Sequence, residues 1–484
     1  MGGRNSTDVS GNSQPVYTVT IPGEKKYEDL ESNMYQSKDP IIPVPTQDML
    51  AKILENESAG HGHVVRYPTN FSETLMHLLK GNVGSGIFAM GDAFKNSGYI
   101  VGSILVPILG LICLHSQHLL LNASHHLKEK LNLKKNPDYA TTVELCFATG
   151  SPKMQMFAPG MRLLVNLFLC LTQLGFCCVY FVFISSNVKQ IMDYYGFVYN
   201  LKYHMAVIFI PILLSCLVRS LKYLAPLSVV ANLLMLVGIV ITMTYLCKKP
   251  FAKVDSFSSF SQLPLFFGTA LFAFEGIGLV LPLENEMKKP SQFNRSFGVL
   301  NVGITMVIVL YVVLGLMAYL KYGNDIHGSV TLDLPQNELL AQAVKVIIST
   351  GILLTFALQF YIPIDIMFPS VRARFGPFSR PILVELIFRC ILVVITFALA
   401  ELIPYLDLFI TLIGAFSSTT IALLIPPILE MVNMSSSNTF SLWIVFKNIV
   451  ILIIGFLGCI TGSFESISLI VRTFSEGESS TDGN

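Results

Sequence analysis

Charge is scarce in this sequence. Asp, Glu, Lys and Arg make up 13% of its 484 residues, against roughly 25% in a soluble domain. The balance is +1 at pH 7. That leaves no basic field to neutralise phosphates, so nucleic acid is not an expected partner. Enzyme signatures are missing too. There is no HExxH, no paired metal-ligand spacing, and no Ser, His and Asp in a recognisable context, so neither an enzyme nor a metal or organic cofactor is expected. The nine cysteines fall almost wholly in apolar runs, and all nine read as small buried hydrophobes. The polar N-terminal stretch lacks the apolar core of a signal peptide.

What is there is apolar. The chain is 52% hydrophobic with a mean hydropathy of +0.61. Its long runs, with 34 Phe and one Trp, fit membrane helices rather than the short alternating strands of a barrel. The expected fold is an all-α polytopic membrane protein with about eleven crossings. These are placed at 71–92, 98–122, 159–187, 204–220, 224–247, 262–284, 297–320, 339–367, 381–402, 405–430 and 442–471. Residues 1–66 read as a disordered tail rich in Ser, Asn and Pro, with a Tyr27-Glu28-Asp29-Leu30 sequence of sorting-signal form and a short amphipathic helix over 47–57. Residues 67–472 form the transmembrane domain and 473–484 a short polar tail. With the N-terminus in the cytosol, the inner loops hold the larger share of Lys and Arg, led by Lys128, Lys130, Lys134, Lys135 and Lys153. The Lys248–Lys253 cluster runs against that bias.

Two crossings are interrupted. The first carries Gly81-Asn82-Val83-Gly84-Ser85-Gly86 in its middle; the sixth carries Phe274-Glu275-Gly276-Ile277-Gly278, with Pro282 a turn later. Gly is poor in helix interiors, and irregular backbone survives in hydrocarbon only where protein covers it or it lines a cavity. Interrupted segments at matching positions of two five-helix halves point to an inverted-repeat carrier site. The half-helix ends there offer free N–H groups and a positive dipole to a carboxylate. Close helix packing is the competing reading of the glycines. His77 and Lys80 share the first of these crossings and Glu275 sits in the second, all three ionisable at membrane depth. For Glu275, a proton carrier and a counter-charge to Lys80 or to a substrate amine both remain open. Gln359, Tyr361, Pro363 and Asp365 are read as interrupting the eighth crossing, Thr172, Gln173 and Tyr180 as polar points of the third, Arg389 as a partner of Glu385 or another buried carboxylate, and Glu284 and Glu286 as surface partners of Lys288 and Lys289.

The motifs LMHLLKGNVGSGIFAMG, GFCCVYFVFISSNVKQ, PLFFGTALFAFEGIGLVLPLENEMKKP and TFALQFYIPIDI together resemble the proton-coupled amino acid transporter family, in the amino acid/auxin permease group. The resemblance runs from about residue 67 to 472. It implies a LeuT-like five-plus-five inverted repeat with an eleventh helix and broken helices 1 and 6. It implies symport of small neutral amino acids such as glycine, alanine and proline with a proton, which is the only coupling species. The family's proton-linked histidine matches His77, with Glu275 as a second titratable group. The substrate-binding positions match Gly81, Asn82, Gly84, Ser85, Gly86, Phe274, Glu275 and Gly276, with Tyr180 and Tyr361 beside them. Residence at the plasma membrane or on lysosomes and late endosomes is implied, with nutrient-signalling partners at the N-terminal tail. The outer disulfide of several relatives has no counterpart, since residues 188–203 lack Cys and Pro335 is followed by Gln336 and Asn337. Phe88 and Met90 are bulkier than the residues of many relatives and reshape the pocket.

Overall fold

The computed structural model describes residues 68–219, 221–403, 405–436 and 441–481. The tail expected over 1–66, with its Tyr27 signal and its 47–57 helix, lies outside these residues. The rest is helical. In chain order come α1 (Phe71–Asn82), α2 (Ser85–Ser97), α3 (Tyr99–Lys130), α4 (Tyr139–Ala148), α5 (Pro152–Gln155), α6 (Ala158–Tyr194), α7 (Leu201–Cys216), α8 (Leu221–Leu246), α9 (Leu263–Ala273), α10 (Ile277–Glu286), α11 (Val299–Tyr322), α12 (Leu339–Phe375), α13 (Pro381–Leu402), α14 (Leu406–Ile413), α15 (Ile425–Ser436) and α16 (Leu442–Thr481). Two π-helical turns, Gly414–Ser418 and Thr420–Leu424, join α14 to α15.

Among the described residues, nine helical segments are long and apolar enough to cross a bilayer. The first expected crossing is instead the pair α1 and α2, and the fourth is the shorter apolar α7. Large apolar side chains point away from the protein along α7 (Val207, Ile210, Leu214), α13 (Ile387, Ile391, Ile395) and α16 (Ile453, Phe456, Leu457). Hydrocarbon is the solvent that suits such faces. α6 and the α14–α15 segment are mostly buried and form the middle of the bundle. α12 packs along α6 and α8, α11 along α2 and α3, and α9 along α2.

Several expectations change. The eighth crossing is not interrupted: α12 runs through Pro363 and Pro369. Pro363 has no N–H for the Gln359 carbonyl, so one rung is lost while neighbouring helices hold the rest. The connection after α3 is not a plain loop. Asp138 accepts the Thr141 N–H at 2.7 Å and caps α4, whose residues are all buried. The C-terminal tail expected from 473 is helical to Thr481. Cys247 is exposed, and Cys390 and Cys459 are half-buried, so only the other six cysteines behave as core residues. Glu284 is not a surface residue. It is buried, accepts from His125 Nε2 at 2.8 Å and from Asn136 Nδ2 at 2.6 Å, and ties α10 to α3 and to the turn before α4.

Arg389 does pair with Glu385. Its Nε donates to Oε1 at 3.0 Å, its Nη1 donates to the Cys216 carbonyl at 3.1 Å, and Arg219 Nη2 reaches Glu385 Oε2 at 2.6 Å. Arg389 is 2% exposed. Glu385→Ala leaves that guanidinium buried with the Cys216 carbonyl as its remaining hydrogen-bond acceptor. The expected loss of stability is about 3–5 kcal/mol, read as a lower unfolding midpoint in detergent; an unchanged midpoint would show that the pair contributes nothing.

Candidate functional site

Both interruptions are present, and they meet. In the first crossing the helix continues through Gly81 and Asn82, and only Val83 and Gly84 leave it. That is narrower than the six-residue break expected. In the sixth, Phe274, Glu275 and Gly276 separate α9 from α10. α1 lies against α10 and α2 against α9. The contacts are as close as backbone allows. A Cβ on Gly81 would lie 2.4 Å from Leu279 Cδ1, one on Gly86 2.7 Å from Ala273 Cα, and one on Gly276 2.7 Å from Asn82 Oδ1. So the glycines serve packing as well, in the same place as the breaks.

A tyrosine that sequence reasoning missed fastens the two together. Tyr311 of α11 is fully buried, and its hydroxyl lies 2.5 Å from the Asn82 carbonyl and 2.8 Å from the Ala273 carbonyl. Its single proton is shared between the last carbonyls of two half-helices, groups that a helix end leaves without donors. The Phe274 ring packs on it at 5.0 Å. The available signal was a lone phenol inside VIVLYVVLG.

Around this junction lie polar atoms without hydrogen-bonding side-chain partners. Asn82 Nδ2 donates to the Leu78 carbonyl at 2.9 Å, but its Oδ1 has no partner. Glu275 is 4% exposed, and neither carboxylate oxygen meets a partner side chain. The Ile277 amide of α10 lies beside it. Lys80 Nζ is buried without a hydrogen-bond partner, and no ion pair joins it to Glu275 among the described residues. The counter-charge reading of that pair is therefore not realised. Buried polar atoms left open in this way are costly unless something else occupies them part of the time. A small cavity of about 20 Å³ opens beside the first break, lined by Lys80, Gly81, Val83, Gly84, Tyr180 and Gln359 among others. That is room for about one water molecule.

The remaining expected residues divide. Ser85 and Gly86 are buried in the first turn of α2, whose leading N–H groups have no intrahelical acceptor. The Tyr180 hydroxyl reaches the break, 3.4 Å from where a Gly84 Cβ would be. Thr172 Oγ1 instead meets Ser417 Oγ of the first π-turn at 2.8 Å. Tyr361 is not at the junction: it is half-buried and stacks under Arg389, 5.9 Å from ring centroid to Cζ. His77, expected to be buried, is exposed on α1. Three-residue spacing put it near Lys80, but the helix turns Leu78 and Asn82 inward and leaves His77 outside.

The chain is similar to known proteins along most of its length. Residues 68–468 match the family described as transmembrane amino acid transporter protein. The proton-coupled amino acid transporter-like protein pathetic of Drosophila melanogaster is 36% identical over 85% of this chain and 88% of its own length. The probable amino acid transporter skat-1 of Caenorhabditis elegans is 26% identical over 84% and 91%. The crystal structure of MhsT in complex with L-phenylalanine aligns with a TM-score of 0.43 and 13% identity over 83% of this chain and all of that one. A match over residues 68–468, which hold both touching interruptions, makes this chain a member of the transmembrane amino acid transporter family, in the amino acid/auxin permease group, and hence not an enzyme.

Proposed function

We propose that the chain is a symporter that moves small neutral amino acids of the glycine, alanine and proline type together with a proton, by alternating access. The observation that carries this reading is the set of open polar atoms at the junction of the two breaks. A zwitterion needs donors for its carboxylate and acceptors for its ammonium. The first turn of α2 and Lys80 Nζ offer the donors, and Asn82 Oδ1 and the carbonyls of Phe274 and Glu275 offer the acceptors. Tyr180 closes one wall. The cavity is far smaller than an amino acid, so the surrounding spans part to load it and part on the other side to release it. The proton belongs to Glu275, the buried carboxylate without a partner side chain. His77, which the family resemblance ties to the proton, acts from the exposed face of α1.

The same reading has eleven crossings in a five-plus-five inverted repeat, an N-terminus in the cytosol, residence in the plasma or lysosomal membrane, and a tail ahead of the spans that meets nutrient-signalling partners. It needs no cofactor beyond the proton. The name of the Drosophila relative supports the proton.

The test is uptake of labelled glycine, alanine and proline into proteoliposomes holding the full chain, with the outside acidic or neutral. Uptake of these amino acids, raised by outside acid and accompanied by inward current, is expected. Uptake that is equal at both values with no current would remove the proton from the reading, and exchange of large or charged amino acids alone would remove the substrate class.

A further inference from the structure

A second group of titratable residues lies away from the junction, at the far end of α2. Asp92 there is 5% exposed. It accepts from Asn96 Nδ2 of its own helix at 3.2 Å, and no salt bridge to it is formed among the described residues. The nearby Lys95 spends its ammonium on the Ile326 carbonyl, at 3.1 Å. Ile326 begins a segment laid across this end of the bundle. It packs on Gly91, where a Cβ would come within 2.3 Å of Ile326 Cδ1. Two residues on, Gly328 lies on the start of α14, where a Cβ would be 2.7 Å from the Asp407 nitrogen. Asp333 closes the segment on itself, accepting from the His327 amide at 3.2 Å and pairing with the His327 ring. Gln190 Nε2 of α6 holds the Leu332 carbonyl at 3.0 Å, and Lys345 Nζ of α12 holds the Leu334 carbonyl at 3.2 Å.

Three carboxylates therefore sit on elements that touch at this end of the bundle: Asp92 of α2, Asp333 of the segment and Asp407 of α14. Asp407 and Asp333 are the like-charged neighbours of Asp92, and Lys95 is its cationic one. On Asp333 act His327 and Lys95, with Lys345 and Tyr322 facing it from α12 and α11. Asp92 is thus a buried carboxylate with no ion pair among the described residues, its neighbouring cation committed to a backbone carbonyl.

We propose that Asp92 is a second proton-binding carboxyl of the transport cycle, loaded from the membrane side on which the Ile326–Leu334 segment lies. The proton leaves the medium and adds to a carboxylate oxygen of Asp92. That ends the repulsion with Asp407 and lets α2, α14 and the segment hold together. This rests on the proton-coupled reading above, and in the N-in orientation the loading side is the outer or lumenal one. Asp333 works in the same direction. Burial lifts its carboxyl above the usual range although His327 pulls it back. A raised acid binds its proton more tightly in the docked segment than in a free one. Docking thus strengthens as pH falls through that range and weakens as pH rises.

The experiment measures amino acid uptake against outside pH in proteoliposomes of the full chain, each variant normalised to its own maximum. Asp92→Asn is expected to flatten the rise with outside acid. Asp407→Asn removes a like charge, and so moves the midpoint to more acid pH; Lys95→Gln moves it the other way. An Asp92→Asn profile that follows the parent, or midpoints that stay put in the other two variants, overturns the proposal. The Asp407 and Lys95 shifts still decide it should Asp92→Asn fail to fold. Parent protein that exchanges no amino acid at any pH would sink the transporter reading itself, and this inference with it.

Discussion

Gly86→Ala should bring amino acid flux to background. The added Cβ would lie 2.7 Å from Ala273 Cα and 3.0 Å from Ala273 Cβ. Neither atom belongs to a flexible side chain, so α2 must back away from α9 as a body. Overfilling of this kind costs typically about 1–3 kcal/mol. The functional effect is larger than the stability effect, because the shift carries the leading N–H groups of α2 with it. Gly84→Ala is the matched control: its Cβ meets only the Tyr180 hydroxyl, at 3.4 Å, and flux should persist with altered apparent affinity. Labelled-substrate exchange and detergent unfolding, run on both variants, read the two effects separately. Parent-like exchange by Gly86→Ala would mean that the junction does not have to be this tight.

Glu275→Gln should separate folding from energy coupling. The carboxylate is buried and has no partner side chain, so an isosteric neutral amide removes an uncompensated charge without opening a cavity. The unfolding midpoint should hold or rise. Accumulation driven by a proton gradient should vanish, since the junction then lacks the carboxyl that takes up and releases the proton. A pH-sensitive dye inside the vesicles, followed together with labelled substrate, checks this. Proton entry stoichiometric with substrate in Glu275→Gln would take the proton away from this residue. Glu275→Ala is a poorer probe, because the void it leaves is destabilising in its own right.

The two interruptions could be read from sequence because Gly, Asn, Ser and Glu in the middle of apolar runs have few explanations in hydrocarbon. Their width could not. Asn82 stays in the helix, its side-chain Nδ2 donating to the Leu78 carbonyl one turn back, a local bond that helix propensity does not reveal. The exposure of His77 escaped for a related reason: spacing puts residues on a face but does not say which face the bundle covers. Pro363 looked like an end and is an interior residue, because α6 and α8 hold α12 on either side. Glu284 looked like a surface acid beside Lys288 and Lys289, and its partners, His125 and Asn136, are about 150 residues away in the chain. Tyr311 and Asp92 carried only the weak signal of one polar residue in apolar company. The long-range contacts that give them meaning are set by the fold.

One small strand-like contact bears on how the molecule is worked from its N-terminal side. Thr69, just ahead of α1, forms a parallel bridge with Met287, just past α10: the Thr69 N–H donates to the Glu286 carbonyl at 2.8 Å, and the Lys288 N–H to the Thr69 carbonyl at 2.9 Å. The free ends of two half-helices are thereby sewn to each other. A tug on the polypeptide upstream of Thr69 is felt by both at once, and neither can swing without dragging its companion.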